Sequence, residues 1–234
     1  MIESLVPAAS TYAGDIDDLF TLIFVLVGFW FLLSEGVFFW LIFKFKKRDG
    51  VPAAYVSGEK KEEKRWITYP HLLVLVCDVF IIVGAVRVWY DVKQNLPPAQ
   101  ETVRVVSQQW AWTFQHPGAD GQLDTADDIE KVNELHVKQG TLYHYKLESK
   151  DVLHDFSVPV FRLKQDAIPG RVITGWFEPT LTGEFDIQCA EICGIGHGLM
   201  GARIFIETPE QHAAWIAENG SVELAAAEPP ASGE

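Results

Sequence analysis

Four side chains with soft donor atoms lie close together in the stretch QCAEICGIGHGLM. Cys189 and Cys193 are four residues apart, His197 follows four residues later, and Met200 comes three after that. Thiolate, imidazole and thioether suit copper or zinc rather than magnesium or calcium. Structural zinc normally takes cysteine and histidine and has no use for methionine, whereas a mononuclear electron-transfer copper site takes one cysteine, two histidines and a weak axial methionine. The stretch therefore indicates copper, with one cysteine in excess and one histidine to be found elsewhere.

The further histidine is best supplied by His154, at the head of a predicted strand in DVLHDFSVPVF. A β scaffold can bring such a side chain beside a loop that follows a neighbouring strand, and the remaining candidates have no comparable setting: His116, His136 and His144. Two thiolates can bridge two copper ions, each of which then takes one histidine. A disulfide between the two cysteines is the alternative in an oxidising compartment, but it leaves the histidine and the methionine unexplained.

The surrounding sequence predicts a β domain over 102–208. Short runs rich in Val, Ile, Thr, Tyr and Phe, such as TVRVVSQQWAWTFQ and GEFDIQC, are separated by Gly, Pro and Asp. This pattern is typical of an antiparallel β-sandwich or barrel. A linker that contains proline precedes the domain at 91–101, a short helix is predicted at 209–220, and residues 221–234 are predicted to form a disordered tail.

Two apolar runs near the start of the chain predict a hairpin of transmembrane helices, at 19–43 and 66–90. Each is long enough to cross a hydrocarbon core of about 30 Å. The loop at 44–65 carries eight Lys and Arg against four Asp and Glu, which places it in the cytoplasm by the positive-inside rule. The N-terminal segment 1–18 and the β domain then lie on the outer side, and membrane lipid is an expected partner.

The sequence does not decide the roles of the polar groups inside these two apolar runs. Glu35, Asp78 and Arg87 interrupt the apolar sequence, and such charges usually face protein or water, although Arg87 can also reach the interface. Cys77 is interpreted as a small buried residue rather than a ligand.

The charge of the chain excludes one class of partner. The formal net charge is −13, and from Asp91 onward 10 Lys and Arg face 22 Asp and Glu. Nucleic acid is not an expected partner, because its binding needs a basic footprint; a basic protein partner fits instead. The acidic stretch GADGQLDTADD does not meet the pattern of a calcium loop, so an acidic hairpin loop is favoured over an ion site there.

Four segments carry a resemblance to a known family: QQWAW, DVLHDFSVP, LKQDAIPGR and GEFDIQCAEICGIGHGLM. Together with the two apolar helices and the basic loop, they resemble subunit II of the haem-copper cytochrome c oxidases over most of the chain. The resemblance implies a membrane α plus all-β architecture, in which a two-helix transmembrane hairpin is followed by a cupredoxin-like β-sandwich.

The resemblance also implies a dinuclear copper centre, CuA. The positions of Cys189 and Cys193 match the bridging thiolates. His154 and Met200 match the terminal ligands of one copper, and His197 with the backbone carbonyl of Glu191 those of the other. The Glu191 carboxylate further matches a ligand of a magnesium ion shared with subunit I, which suits a hard donor.

Further roles follow from the same resemblance. Trp110 matches the aromatic residue that takes electrons from cytochrome c. Trp112, two residues further on, is expected on the same strand face, where it either takes part in the same electron entry or packs in the core. Asp151 matches an acidic docking residue, and Asp155 is a weaker candidate. Glu63, just before the second helix, matches a glutamate at the entrance of a proton pathway; the alternative is a solvated charge in a Lys/Glu run.

The implied function is electron relay. Electrons would pass from a separate, basic cytochrome c to CuA and then to the haem of subunit I, where oxygen is reduced to water with proton pumping. Subunits I and III are implied partners, in a bacterial inner membrane rather than a mitochondrial one, with the copper domain in the periplasm. The alternatives are the copper subunit of a nitric oxide reductase and a non-enzymatic, membrane-anchored copper-binding protein.

Overall fold

The computed structural model describes residues 5–53 and 55–227. Two long helices form one compact unit that spans residues 15–91, and a β domain forms the other, together with the residues up to Gly14. Helix α1 covers Ala13–Phe45 and helix α2 covers Lys61–Trp89, followed by a π-helical turn at Tyr90–Gln94. Both helices are long and apolar enough to cross a membrane.

The two helices extend beyond the predicted spans of 19–43 and 66–90. Helix α1 starts early with Asp15 in its first turn, and α2 starts early with Glu62 and Glu63 in its first turn. Carboxylates interact favourably with the helix dipole at that end, so polar turns continue the helices outside the apolar runs. Between the helices, the Trp30 indole N–H donates to Cys77 Sγ at 3.4 Å. Cys77 is thus a contact between the two helices, but it is only half-buried rather than buried as the sequence predicted.

Ten strands form two five-stranded sheets in the described part of the β domain. The strands are β1 Glu101–Gln108, β2 Ala111–His116, β3 Ile129–Val132, β4 Glu134–Lys138, β5 Tyr143–Ser149, β6 His154–Val158, β7 Leu163–Ala167, β8 Ile173–Phe177, β9 Gly183–Cys189 and β10 Gly201–Glu207. The order is β3-β2-β1-β5-β8 in one sheet and β4-β10-β9-β6-β7 in the other.

Aromatic side chains join the two sheets. Phe156 on β6 packs against Trp112 and Tyr145 of the opposite sheet, with ring centroids 5.5 and 6.0 Å apart, and all three are fully or almost fully buried. This arrangement confirms the β-sandwich. Most strand pairs are antiparallel, as the sequence pattern indicated, but β1 pairs with β5 and β10 with β4 in parallel. Intervening strands separate the members of each pair along the chain, which gives room for the crossover that parallel pairing needs.

The N-terminal segment is an unexpected part of the β domain. Ala9 donates its N–H to Val160 O at 2.7 Å and accepts one from Thr180 at 2.8 Å. Tyr12 is buried edge-on against Trp176, with ring centroids 5.0 Å apart. Segment 1–18, predicted as a separate outer segment, therefore includes residues that pair with the sandwich before α1 begins.

Helix α3 covers Pro209–Ala227 and continues past the predicted end at 220. Gly220 costs a helix about 1 kcal/mol relative to alanine, but it is followed by SVELAAA, which contains several strong helix formers. The predicted disordered tail at 221–234 is therefore wrong for residues 221–227, and residues 228–234 lie outside the described part.

Candidate metal centre

The predicted ligands converge at one end of the second sheet. His154 begins β6, and Cys189 ends β9 opposite Phe156 of β6. The chain then forms a loop, here called the metal loop (residues 189–200), and re-enters the sheet as β10. The Cys189 N–H donates to Met200 O at 3.1 Å, which closes the base of the loop. Because rigid paired strands hold both ends, the loop is held in place at its base.

The donor atoms lie within a few ångströms of one another. Cys189 Sγ is 3.7 Å from Cys193 Sγ and 3.9 Å from His154 Nδ1. Cys193 Sγ is 3.7 Å from both His197 Nδ1 and Met200 Sδ. The backbone oxygen of Glu191 is 3.2 Å from Cys189 Sγ. All six predicted CuA ligands are thus brought together.

These distances fit metal binding and not a disulfide. A disulfide requires sulfur atoms about 2.05 Å apart, and both cysteines are free thiols. Metal–sulfur and metal–nitrogen bonds are about 2.0–2.3 Å long, so one ion fits between two donors that are nearly 4 Å apart. Within the described residues, the group that could hold a metal is His154, Cys189 and Cys193.

A nearby cation would favour ionisation of the buried Cys193 thiol. Burial raises the pKa of Cys193 to about 11, and its proximity to Cys189 adds to the rise. Two adjacent thiolates are therefore unfavourable without positive charge between them. Soft thiolate, imidazole and thioether donors together favour copper, in agreement with the interpretation of the sequence.

The Asp151 carboxylate binds the ring nitrogen of His154 that faces away from the cysteines. Asp151 Oδ1 lies 2.8 Å from His154 Nε2, and the imidazole is fully buried. Partial burial alone would raise the pKa of Asp151, but hydrogen bonds from His154, Gln109 and Val152 outweigh it and hold that pKa below its usual range. The carboxylate assigned to donor docking is thus engaged within the domain.

Trp110 lies against the metal loop. Its side chain remains 40% exposed, and a methyl group built on Gly196 would come within 2.4 Å of its ring. Gln109, the preceding residue, donates from its side-chain amide to Cys193 O at 2.8 Å. The turn at 109–110 therefore places an accessible indole directly over the metal loop.

Trp112 does not share this surface. It is fully buried, and its ring meets His154 edge-on at 6.1 Å. Trp110 precedes β2, which starts at Ala111, so the period of two does not extend to it. Its burial removes Trp112 from the surface that a donor could contact and places its ring against His154.

The other candidates occupy different settings. Asp155 on β6 is buried, and burial together with the Asp166 carboxylate raises its pKa to about 6, so it adds no exposed charge for docking. The Glu191 side chain is exposed. Glu63 accepts hydrogen bonds from Gly58 N at 2.9 Å and Ser57 Oγ at 3.4 Å, and it thereby holds the turn before α2.

A second histidine cluster was not foreseen. Glu207 accepts from His136 Nδ1 and His212 Nδ1, each at 2.8 Å, and Trp215 of α3 stacks on His136 at 4.2 Å. His116 lies beside them and is neutral, because burial lowers its pKa to about 3. These residues fasten α3 to the sandwich. The sequence feature that could have indicated this cluster is His212 in PEQHAAW, one turn into a predicted helix.

The acidic loop uses its carboxylates internally. Asp124 forms an ion pair with Arg104 at 2.8 Å, and Asp127 and Asp128 accept hydrogen bonds from N–H groups of the same loop. The favoured interpretation, an acidic hairpin loop, fits these contacts.

Known proteins resemble this chain over most of its length. Residues 101–208 match the family described as cytochrome c oxidase subunit II, periplasmic domain. The alternative cytochrome c oxidase subunit 2 of Bradyrhizobium diazoefficiens is 32% identical over 90% of this chain and 82% of that protein. Subunit 2 of Cereibacter sphaeroides is 26% identical over 95% and 82%. The crystal structure of the periplasmic domain of subunit II (CoxB) of Bradyrhizobium japonicum is 27% identical and covers 55% of this chain and 99% of its own, with a TM-score of 0.49.

Proposed function

Because this chain belongs to the cytochrome c oxidase subunit II family, we propose that it is the electron-relay subunit of a cytochrome c oxidase. As a member of that family it is a membrane-anchored, copper-binding part of an oxidoreductase complex with other subunits. The finer proposal is that it accepts electrons from cytochrome c at a dinuclear CuA centre. It then passes them to the haem of subunit I, where oxygen is reduced to water and protons are pumped.

The observation that carries the proposal is the pair of free thiols with an imidazole beside each. Cys189 and Cys193 are 3.7 Å apart, and His154 and His197 lie 3.9 and 3.7 Å from them. This set offers two equivalent thiolate–imidazole positions, as a bridged pair of copper ions requires, with Met200 and the Glu191 carbonyl as the remaining donors. When bound, the copper pair supplies reversible one-electron chemistry.

The protein groups around the pair suit electron transfer rather than substrate conversion. His154, Cys193 and Met200 are buried, which excludes solvent from the donors. The sandwich fixes both ends of the metal loop, so the ligands need to move little between redox states. Trp110 offers the exposed contact through which the donor would deliver electrons, and His197, only half-buried, is the ligand through which they would leave towards subunit I.

The donor is proposed to be a separate, basic cytochrome c. The part of the chain from Asp91 onward carries a net charge of −12, which steers a basic partner over long range. Asp155 is buried and Asp151 is held by hydrogen bonds within the domain, so this attraction is proposed to come mainly from the charge of the domain as a whole.

Further details of the proposal concern subunit I and the membrane. The exposed Glu191 carboxylate would contribute to a magnesium ion shared with subunit I, and subunit III is a further partner. Glu63 would stand at a proton-pathway entrance on the cytoplasmic side. The location is proposed to be a bacterial inner membrane, with the copper domain in the periplasm and lipid around α1 and α2.

Copper content and oxygen consumption of the purified complex test the proposal together. We expect two copper ions per chain beyond those of subunit I, and oxidation of cytochrome c coupled to oxygen uptake. Cys193→Ser should abolish both, while Cys77→Ser, the same change in α2, should leave both intact. Nitric oxide consumption without oxygen uptake would favour the nitric oxide reductase alternative, and copper binding without any turnover the copper-binding protein.

A further inference from the structure

The Asp151 carboxylate receives three hydrogen bonds from different parts of the site. Oδ1 accepts from His154 Nε2 at 2.8 Å and from Val152 N at 2.6 Å, and Oδ2 accepts from Gln109 N at 2.7 Å. Its side chain is only 30% exposed. Both oxygens therefore bond to groups of the domain, while the residue itself still reaches the surface.

The contact with His154 decides which ring nitrogen is available to a metal. An imidazole that donates from one nitrogen to a carboxylate presents the lone pair of the other, and the carboxylate makes that nitrogen a stronger donor. Here Nε2 faces Asp151, and Nδ1 faces Cys189 Sγ at 3.9 Å. Asp151 thus selects the ligand atom of His154 and orients the ring.

The contact of Asp151 with Gln109 links the His154 side chain to the turn that carries Trp110. The Gln109 backbone N–H is held by Asp151, while its side-chain amide donates to Cys193 O at 2.8 Å. The next residue, Trp110, packs on Gly196 of the metal loop. A continuous series of hydrogen bonds therefore runs from His154 through Asp151 and Gln109 to Cys193.

We propose that Asp151 and Gln109 form a positioning pair that fixes the His154 ligand and the Trp110 turn in one rigid unit. On the family resemblance alone, Asp151 belongs to the docking surface for the donor; the geometry assigns it to the copper site instead. The inference rests on the proposed function, because it concerns how this chain holds copper and delivers electrons to it.

Two changes at Asp151 separate positioning from docking, and both are made in the full chain within its complex. Asp151→Asn removes the charge, whereas Asp151→Glu keeps the charge and displaces the carboxylate. Positioning predicts that both variants alter the copper electron paramagnetic resonance spectrum and weaken copper retention against a chelator by about 10- to 100-fold. Asp151→Asn should also raise the reduction potential, since losing the negative charge favours the reduced copper. Glu130→Gln, an equal charge change on exposed β3, should alter none of these.

A docking role predicts a different pattern that would overturn the inference. Asp151→Asn would then raise only the KM for cytochrome c and its salt dependence, Asp151→Glu would resemble the wild type, and both spectra would be unchanged. Failure of the wild-type chain to bind a copper pair would instead refute the proposed function, before any variant is compared.

A second variant keeps the inference testable if changes at Asp151 prevent folding. Gln109→Leu retains the backbone N–H that Asp151 holds but removes the bond to Cys193 O. The positioning pair predicts slower reduction of copper by the donor, with little change in the spectrum because His154 keeps its partner. An unchanged reduction rate would show that the link to the Trp110 turn has no function.

Discussion

The contact between Trp110 and Gly196 allows the proposed electron input to be disturbed without changing a proposed copper ligand. A Cβ atom on Gly196 would lie 2.4 Å from the Trp110 ring, with two further ring atoms at 2.7 and 2.9 Å. Gly196 has a φ of −90°, so alanine fits its backbone and the ring has to give way. Since ordinary contacts begin near 3.4 Å, Gly196→Ala should push the indole outward by about 1 Å.

The displacement should slow electron input far more than it destabilises the domain. Overpacking typically lowers stability by about 1–3 kcal/mol. Because the Trp110 ring is partly exposed and can move outward, we expect a cost at the lower end of that range. A misplacement of about 1 Å can reduce a rate by up to about 100-fold. We expect stopped-flow reduction of the copper pair by cytochrome c to slow about 10- to 100-fold, with an unchanged copper spectrum.

The same loop provides the control for this experiment. A methyl group added at Gly198 would meet nothing within 4 Å, so Gly198→Ala should reduce at the wild-type rate. If Gly196→Ala also reduced at the wild-type rate while tryptophan fluorescence reported a moved ring, Trp110 would not be the point of electron input. A changed copper spectrum would instead show that the substitution acts through the metal loop.

Three further perturbations test the ligand set and the packing of the domain. Met200→Leu should fold, because a swap of similar volume in the core usually costs less than about 1.5 kcal/mol, and should change the copper hyperfine splitting; an identical spectrum would remove Met200 from the ligand set. Glu207→Ala should cost about 2–4 kcal/mol in thermal unfolding, since two charge-assisted hydrogen bonds are lost, against less than about 1 kcal/mol for the exposed Glu184→Ala. Burial alone would raise the pKa of Glu207, but its two histidine partners lower it to about 2. The contribution of Glu207 to the stability of the domain is therefore present above the ordinary pKa of about 4.5 and is lost as the pH falls from there to about 2. If the alanine variant lost stability equally over this pH range, this reasoning would be contradicted. Tyr12→Ala should lower the stability of the β domain by about 3 kcal/mol, whereas Tyr55→Ala, at an exposed position, should not. Equal effects of the two substitutions would show that the N-terminal segment is not part of the folded β domain.

The candidate metal ligands could be selected from the sequence because their chemistry is local. Cys189, Cys193, His197 and Met200 lie in one loop between two strands, and donor type alone restricts the metal. His154 could be added because a strand start is a plausible partner for such a loop. The apolar runs that predict α1 and α2 are equally local signals, since hydropathy over about 20 residues carries them.

Contacts between distant parts of the chain left no such signal. The pairing of Ala9 with Val160 and Thr180 is backbone hydrogen bonding, to which side-chain patterns do not respond. Likewise, an aspartate three residues before a histidine ligand, as Asp151 is, can face either solvent or the imidazole. Only the fold decides between the two, and here it brings Gln109 against the other carboxylate oxygen.

The electron paramagnetic resonance spectrum of the oxidised, copper-loaded full-length chain tests the central claim most directly. The full chain is needed because its N-terminal segment belongs to the β domain. A hyperfine pattern from one unpaired electron shared equally by two copper nuclei is the predicted result. A pattern from a single copper nucleus, or a Cys189–Cys193 disulfide without copper uptake, would contradict the proposed relay.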